Sequence, residues 1–110
     1  MTKVDIFINQ DGYIHGFQAK GHSGYAVHGE DIVCAAISAL TQATVIGLTE
    51  VLKLEVEFSR KDQFLSCYLP KDLSTKQREG AQILLQTLRR SLEAICKDYD
   101  QYLKIREVRQ

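Results

Sequence analysis

The sequence predicts a single α+β domain, in which an antiparallel or mixed sheet carries two helices in the order β-β-α-β-β-α-β. Three observations lead to this fold class. The chain has 110 residues, which is the size of one domain. Short segments with alternating apolar and polar residues occur near both ends and in the middle. Two longer segments between them carry apolar residues at helical spacing, so residues 1–110 are expected to share one core.

The first two strands are predicted as a hairpin. In residues 3–9, Val4, Ile6 and Ile8 recur with the period of a half-buried strand. The letters QDGY then supply an Asp-Gly turn, and residues 13–20 are the expected partner strand.

A helix is predicted for residues 31–50, with Asp31 as its N-cap. Apolar residues cover most of its circumference, so we expect it in the middle of the fold rather than on its surface. Several polar side chains interrupt the apolar stretch, which favours a core helix over a membrane span.

A second hairpin is expected next, because residues 52–58 alternate and the letters SRKDQ lead into residues 64–70, which end at Pro70. Ser74 then opens a second helix with one apolar stripe that runs to Tyr99. The last strand is predicted at residues 101–108.

Composition restricts the possible partners and the compartment. Fourteen basic and fourteen acidic side chains cancel, so a nucleic-acid role would need a local basic patch, and no direct nucleic-acid contact is expected. The N-terminal segment lacks the apolar run of a signal peptide, which favours a cytoplasmic protein. Three cysteines without metal-site spacing are expected to stay reduced.

His22 and Cys34 are the candidates for chemistry. If Asp31 caps the helix, Cys34 is the third helical residue, where backbone N–H groups and the helix dipole favour a thiolate and could hold an oxyanion. His22 follows a predicted strand, and the glycines of the next segment, Gly21 among them, let the chain turn back toward the helix. An imidazole there could take the thiol proton and return it to a leaving group.

Other interpretations of these residues stay open. Cys34 could be a small core residue, and Asp31 could serve only as a cap. His28 competes with His22 as the base, and both could bind zinc with Cys34, although no fourth ligand accompanies them. Ser38 lies one helical turn after Cys34 and could hydrogen-bond near the site or to its own helix.

Three further residues are expected to be structural. Cys67 lies in an alternating strand and Cys96 near the stripe of the second helix, so both are predicted to pack. His15 lies in the first hairpin and is expected to be a surface or hydrogen-bonded strand residue.

The words GHSGYA and GEDIVCAAISAL, with their spacing, resemble the ribosomal-processing cysteine protease family Prp over nearly the whole chain. The shared pattern is a Gly-His before the loop and an Asp-x-x-Cys-x-x-x-Ser at the helix start, matched by Gly21, His22, Asp31, Cys34 and Ser38. The resemblance implies a Cys-His protease without metal or cofactor. Cys34 would be the nucleophile and His22 the general base and acid.

The resemblance also implies a substrate, which is the N-terminal extension of the large-subunit ribosomal protein number twenty-seven. Hydrophobic and aromatic residues before the cut would need an apolar groove beside Cys34, over which Tyr25, Ala26 and Val27 are expected to close. Family resemblance further implies a homodimer. The sequence offers exposed-strand candidates for the interface but does not fix it.

A second hypothesis is a non-catalytic, ribosome-associated module that binds RNA or protein. Its RNA contacts would come from basic residues of the second helix: Arg78, Arg89, Arg90 and Lys97. Zero net charge and the lack of a strand with interleaved aromatic and basic residues favour the protease instead.

Overall fold

Five strands and two helices follow one another in the predicted order. The computed structural model describes residues 1–27 and 29–110. The elements are β1 (Thr2–Ile8), β2 (Ile14–Lys20), α1 (Ile32–Ile46), β3 (Glu57–Lys61), β4 (Phe64–Tyr68), α2 (Thr75–Asp98) and β5 (Leu103–Arg109). The predicted α+β class and its element order are therefore confirmed.

The strands form one mixed sheet in the order β3-β4-β2-β1-β5. β5 runs parallel to β1, and the other three pairs are antiparallel. One face of the sheet forms a single core with both helices, whose largest fully buried side chains include Ile6, Phe17, Leu48, Leu85 and Leu92. The fold thus has two layers, and within residues 1–27 and 29–110 no helix lies on the other face of the sheet.

α1 begins where Asp31 was predicted to cap it, and a π-helical turn, Gly47–Val51, continues it. A Cβ at Gly47 would lie 2.8 Å from a methyl group of Leu84, so glycine lets α1 and α2 approach closely here. The expectation that α1 lies in the middle of the fold was wrong. In a two-layer fold only one side of the helix meets the sheet, and Ile32, Ile46 and Val51 are 58%, 50% and 73% exposed.

By length and composition, the segment Ile32–Val51 could cross a membrane. Its Val33, Ile37 and Leu48 side chains instead pack in the core of the domain. Some apolar residues of this segment therefore pack in the core, and the others form an exposed stripe along the helix.

The second hairpin differs from the prediction. The Leu52 N–H donates to the carbonyl of Gly47 and the Leu54 N–H to that of Leu48, so these residues end the helix instead of starting a strand. They alternate because they pack on the core. Lys61 pairs with Phe64, so the turn between β3 and β4 has two residues rather than the predicted five.

α2 follows the prediction closely. Ser74 accepts the N–H of Gln77, and the Gln77 side chain accepts the N–H of Ser74, which forms a capping box. The predicted apolar stripe supplies the buried residues Ala81, Leu85, Leu88 and Leu92.

Candidate active site

His22 and Cys34 line the same cavity, whose volume is about 490 Å³. It lies between the start of α1, the end of β2 and the hairpin of β3 and β4. Ala19, Ile37 and Leu65 supply apolar walls. Polar side chains from α1 and from the hairpin also line it: Ser38, Thr41, Gln42, Arg60, Asp62 and Gln63.

Asp31 connects the two candidate residues. Its Oδ1 accepts the backbone N–H of Cys34 at 2.8 Å, as expected of an N-cap. Its Oδ2 lies 3.5 Å from Nδ1 of His22 and accepts the hydroxyl of Ser23. The same carboxylate thus caps the start of α1 and faces the imidazole.

The charge of Asp31 is stabilised by hydrogen bonds. Burial alone would raise the pKa of this carboxyl, but the Ser23 hydroxyl and the N–H groups of Cys34, Ala26 and Tyr25 outweigh it and lower the pKa to about 2. Asp31 is therefore ionised at neutral pH. This anionic carboxylate faces Nδ1 of His22.

The sequence did not reveal the part played by Ser23, which is buried and bonded to Asp31. Its hydroxyl also accepts the Tyr25 N–H at 3.3 Å, a short-range turn that serine commonly forms. A serine within a glycine-rich loop, a few residues before a capping aspartate, is the signal that could have indicated it.

Tyr25 was expected to close over the groove, but its ring packs elsewhere. It makes edge contacts with Tyr99 and Tyr102, with ring centroids 5.6 and 5.2 Å apart. In the described part of the chain, Tyr25, Ala26 and Val27 are not among the residues that line the cavity. The sequence could not show this contact because both partner rings follow some seventy residues later.

Gly21 holds the end of β2 in place. Its φ of +93° is a conformation that glycine favours, and a Cβ would lie 2.8 Å from the carbonyl oxygen of Met1. Its N–H donates to the carbonyl of Gln63, and its own carbonyl accepts the Thr2 hydroxyl. Gly21 also lines the cavity, so the predicted site residue positions His22 through the backbone.

The expected oxyanion donors at the start of α1 are already used in part. The Cys34 N–H donates to Asp31 Oδ1, and the Ala35 N–H donates to the Asp31 carbonyl at 3.0 Å. Ser38 offers an alternative, since its hydroxyl lines the cavity one turn after Cys34 and accepts the Gln42 side-chain amide at 2.5 Å. Gln42 was not considered from the sequence.

The other two cysteines lie outside the cavity. Cys67 is buried in the core, and burial raises the pKa of its thiol to about 11. Cys96 is half-buried, and its thiol donates to the Leu103 carbonyl. All three cysteines are free thiols, and these two occupy packing positions as predicted.

The remaining histidines of the chain are His15 and His28. His15 packs beside the rings of Phe7 and Tyr68. His28 lies outside the described residues, so the zinc site considered for His22, His28 and Cys34 stays a prediction. Within residues 1–27 and 29–110, no group of three His, Cys, Asp or Glu side chains is placed to hold a metal ion.

The basic residues proposed for RNA contact on α2 do not form a common patch. Arg89 pairs with Glu107 and Glu93, and Arg90 pairs with Glu93. Arg78 lies over the ring of Tyr13, with its guanidinium carbon 5.3 Å from the ring centroid.

Known proteins resemble this chain along nearly its whole length. The family model described as "Cysteine protease Prp" matches residues 1–104. Ribosomal processing cysteine protease Prp of Bacillus subtilis is 28% identical over 107 residues, which cover 96% of each chain. The Staphylococcus aureus protein of the same name is 28% identical over 105 residues, which cover 96% of this chain and 97% of that protein.

The fold is also shared with a solved structure. The crystal structure of the essential ribosomal processing protease Prp from S. aureus, with a covalently linked product peptide, gives a TM-score of 0.88 at 24% identity. The superposition covers 98% of this chain and 100% of the other. Because the family model spans nearly the whole sequence, this chain belongs to the cysteine protease Prp family and is a cysteine protease.

Proposed function

We propose that this protease removes the N-terminal extension of the precursor of large-subunit ribosomal protein number twenty-seven, with Cys34 as nucleophile and His22 as general base and acid. The observation that carries the proposal is that both side chains line one cavity while Asp31 contacts the segments that hold them. The relatives from B. subtilis and S. aureus are named for ribosomal processing, which supports the substrate class.

Acylation begins when His22 takes the thiol proton of Cys34. The thiolate attacks the carbonyl carbon of the scissile peptide bond and forms a tetrahedral intermediate. The imidazolium then gives its proton to the amine leaving group, and the carbon–nitrogen bond breaks. The N-terminal segment remains bound to Cys34 as a thioester, and the shortened ribosomal protein departs.

Deacylation uses the same residues in reverse. His22 removes a proton from a water molecule, which attacks the thioester carbonyl, and the carbon–sulfur bond breaks. The proton returns to the sulfur, and the extension leaves as a carboxylic acid. Asp31 Oδ2, 3.5 Å from Nδ1, stabilises the imidazolium in both halves of the reaction.

The walls of the cavity suit the expected peptide. Ala19, Ile37 and Leu65 present apolar surface to hydrophobic and aromatic residues before the cut. Ser38 is our candidate for stabilising the oxyanion, because its oxygen accepts the Gln42 amide and leaves the hydroxyl proton available to donate.

We also propose that the enzyme is a cytoplasmic homodimer. A reducing compartment keeps a nucleophilic thiol reduced, and a ribosomal protein precursor would be met there. The exposed apolar stripe of α1 supports self-association: Ile32, Ala35, Ala39, Ala43, Ile46 and Val51. These residues recur at helical spacing, so they form a more continuous surface than the exposed strand candidates.

Cleavage of the precursor tests the proposed function. Wild type, Cys34→Ala and Cys96→Ala are incubated separately with the precursor, and the products are measured by mass spectrometry. We expect wild type and Cys96→Ala to remove the same N-terminal segment, while Cys34→Ala folds normally and leaves the precursor intact. Cleavage by Cys34→Ala, or an intact precursor with folded wild type, would contradict the proposal.

A further inference from the structure

We propose that the face of the sheet without helices binds single-stranded RNA through a row of four lysines. The register aligns Lys61 with Phe64, Phe64 with Lys20, Lys20 with Lys3, and Lys3 with Lys104. We call Lys3, Lys20, Lys61 and Lys104 the lysine row. Lys3, Lys20 and Lys104 lie next to Val4, Ala19 and Ile105 in their strands, and Lys61 pairs with Phe64, whose neighbour is Leu65. These four apolar neighbours belong to or pack against the core, so alternation places the row on the opposite face.

The lysine row crosses the whole sheet. Neighbouring strands are about 4.8 Å apart, so the four steps from β3 to β5 span about 19 Å. All four lysines are exposed. None of them has an ion-pair partner among the residues that the structure describes, whereas Asp5, two positions further along β1, is paired with Arg106. The row is therefore a line of positive charge open to solvent.

Protection of the sheet edges does not explain the whole row. Lysine on an edge strand discourages pairing with other chains, which accounts for Lys61 on β3 and Lys104 on β5. Lys3 and Lys20 lie on internal strands and face each other directly. Like charges at such positions destabilise a sheet. A bound anionic ligand would offset the repulsion between these two lysines.

Single-stranded RNA fits the row better than other anions. Its phosphates form an extended line of charge, and Phe64 interrupts the lysines with a half-buried aromatic ring on which a base could stack. Relatives of this chain are named for ribosomal processing, and RNA is the main polyanion of a ribosome. Zero net charge does not oppose this, because the fold gathers the lysines from four separate strands.

The lysine row adjoins the candidate active site. Lys20 precedes His22 by two residues, and Lys61 and Phe64 also line its cavity. RNA on the row would lie at the mouth of the groove, beside a peptide held near Cys34. RNA binding by the lysine row does not depend on the proposed cleavage reaction, because neither His22 nor Cys34 belongs to the row.

Binding of a labelled, mixed-sequence single-stranded RNA, followed by fluorescence anisotropy from about 50 to about 200 mM salt, tests the inference. The test variant is Lys3→Gln/Lys20→Gln/Lys104→Gln, which leaves the cavity residues in place. We expect its affinity to fall roughly tenfold or more at the lowest salt. Since each phosphate contact contributes about 0.7 to the slope of log affinity against log salt, the slope should shrink by about 2.

Two control variants distinguish the effect of losing the lysine row from a general loss of positive charge and from misfolding. Lys71→Gln/Lys76→Gln/Lys97→Gln removes the same charge from exposed lysines elsewhere and should bind like wild type. Lys3→Arg/Lys20→Arg/Lys104→Arg keeps the charge and should also bind. Three results would overturn the inference: no RNA binding by wild type, equal losses in both glutamine triples, or equally tight binding of phosphatidylserine vesicles or polyglutamate.

Discussion

Asp31 is the residue on which the geometry of the site depends most. One oxygen of its carboxylate accepts the Cys34 N–H and so caps α1. The other oxygen accepts hydrogen bonds from the Ser23 hydroxyl and the Tyr25 N–H, which belong to the loop after His22. The sequence identified it as a cap because aspartate commonly precedes a helix. It did not reveal the loop contacts, since these depend on where Ser23 and Tyr25 lie in the folded chain.

The low pKa of Asp31 makes part of the stability depend on pH. Because the pKa is about 2 in the folded protein and about 3.8 normally, the folded state binds fewer protons between these values. The free energy of unfolding should therefore fall as the pH drops from about 4 to about 2. Asp31→Asn keeps a capping oxygen but should lose this dependence, as measured by urea denaturation across that range. Parallel pH curves for both proteins would contradict the assignment.

Ser38 should affect the chemical step more than substrate binding. If its hydroxyl donates to the oxyanion, Ser38→Ala should lower kcat by roughly a hundredfold to a thousandfold and leave KM nearly unchanged. Thr41→Val is the matched control, because Thr41 also lines the cavity but donates its hydroxyl to the backbone carbonyls of Ile37 and Ser38. Equal effects of the two substitutions on kcat would remove Ser38 from this role.

Among the helices and strands, the predictions from the sequence were most accurate where the signal came from neighbouring residues. The first hairpin, the Asp31 and Ser74 caps and the α2 stripe were predicted from adjacent residues. The second hairpin was not, because residues 52–56 alternate in burial without pairing in a strand. Their pattern reflects packing after the end of α1, and periodicity alone cannot separate the two cases.

The junction between β2 and the loop should tolerate little change. Gly21→Ala would combine a strained positive φ with a contact of 2.8 Å to the Met1 carbonyl oxygen, which costs about 1–3 kcal/mol. We expect a lower melting temperature and reduced cleavage, because His22 would be displaced. Gly12→Ala has a similar φ of +84° with nothing within 4 Å, so it should destabilise less and leave cleavage unchanged. The reverse order would contradict the steric argument.

For the molecule as a whole, periodicity predicted the fold class and the order of the elements. It did not predict which residues form the exposed surfaces. α1 was expected to be central because its alanines and isoleucines surround the axis, and a two-layer fold leaves one side exposed. The lysine row was equally hidden, since its members are scattered along the sequence and meet only through strand register.

The exposed stripe of α1 is the surface at which we expect the proposed dimer to form. Ile46→Glu would place a charge in that surface and should convert the protein to a monomer in sedimentation measurements. Phe58→Glu is the comparison, because Phe58 is 46% exposed on the edge strand β3 and represents the strand interface. We expect Phe58→Glu to remain dimeric. Loss of the dimer in Phe58→Glu alone would move the interface to the sheet edge.

Trapping the acyl-enzyme tests directly whether Cys34 is the nucleophile and His22 its base. Wild-type protein is mixed with a peptide spanning the extension and the cut, quenched with acid and digested, and its cysteine-containing fragments are measured by mass spectrometry. We expect a thioester of the N-terminal segment on Cys34, with Cys67 and Cys96 unmodified, and no adduct in His22→Ala. Cleavage without a Cys34 adduct at any quench time, together with turnover by Cys34→Ala, would contradict it.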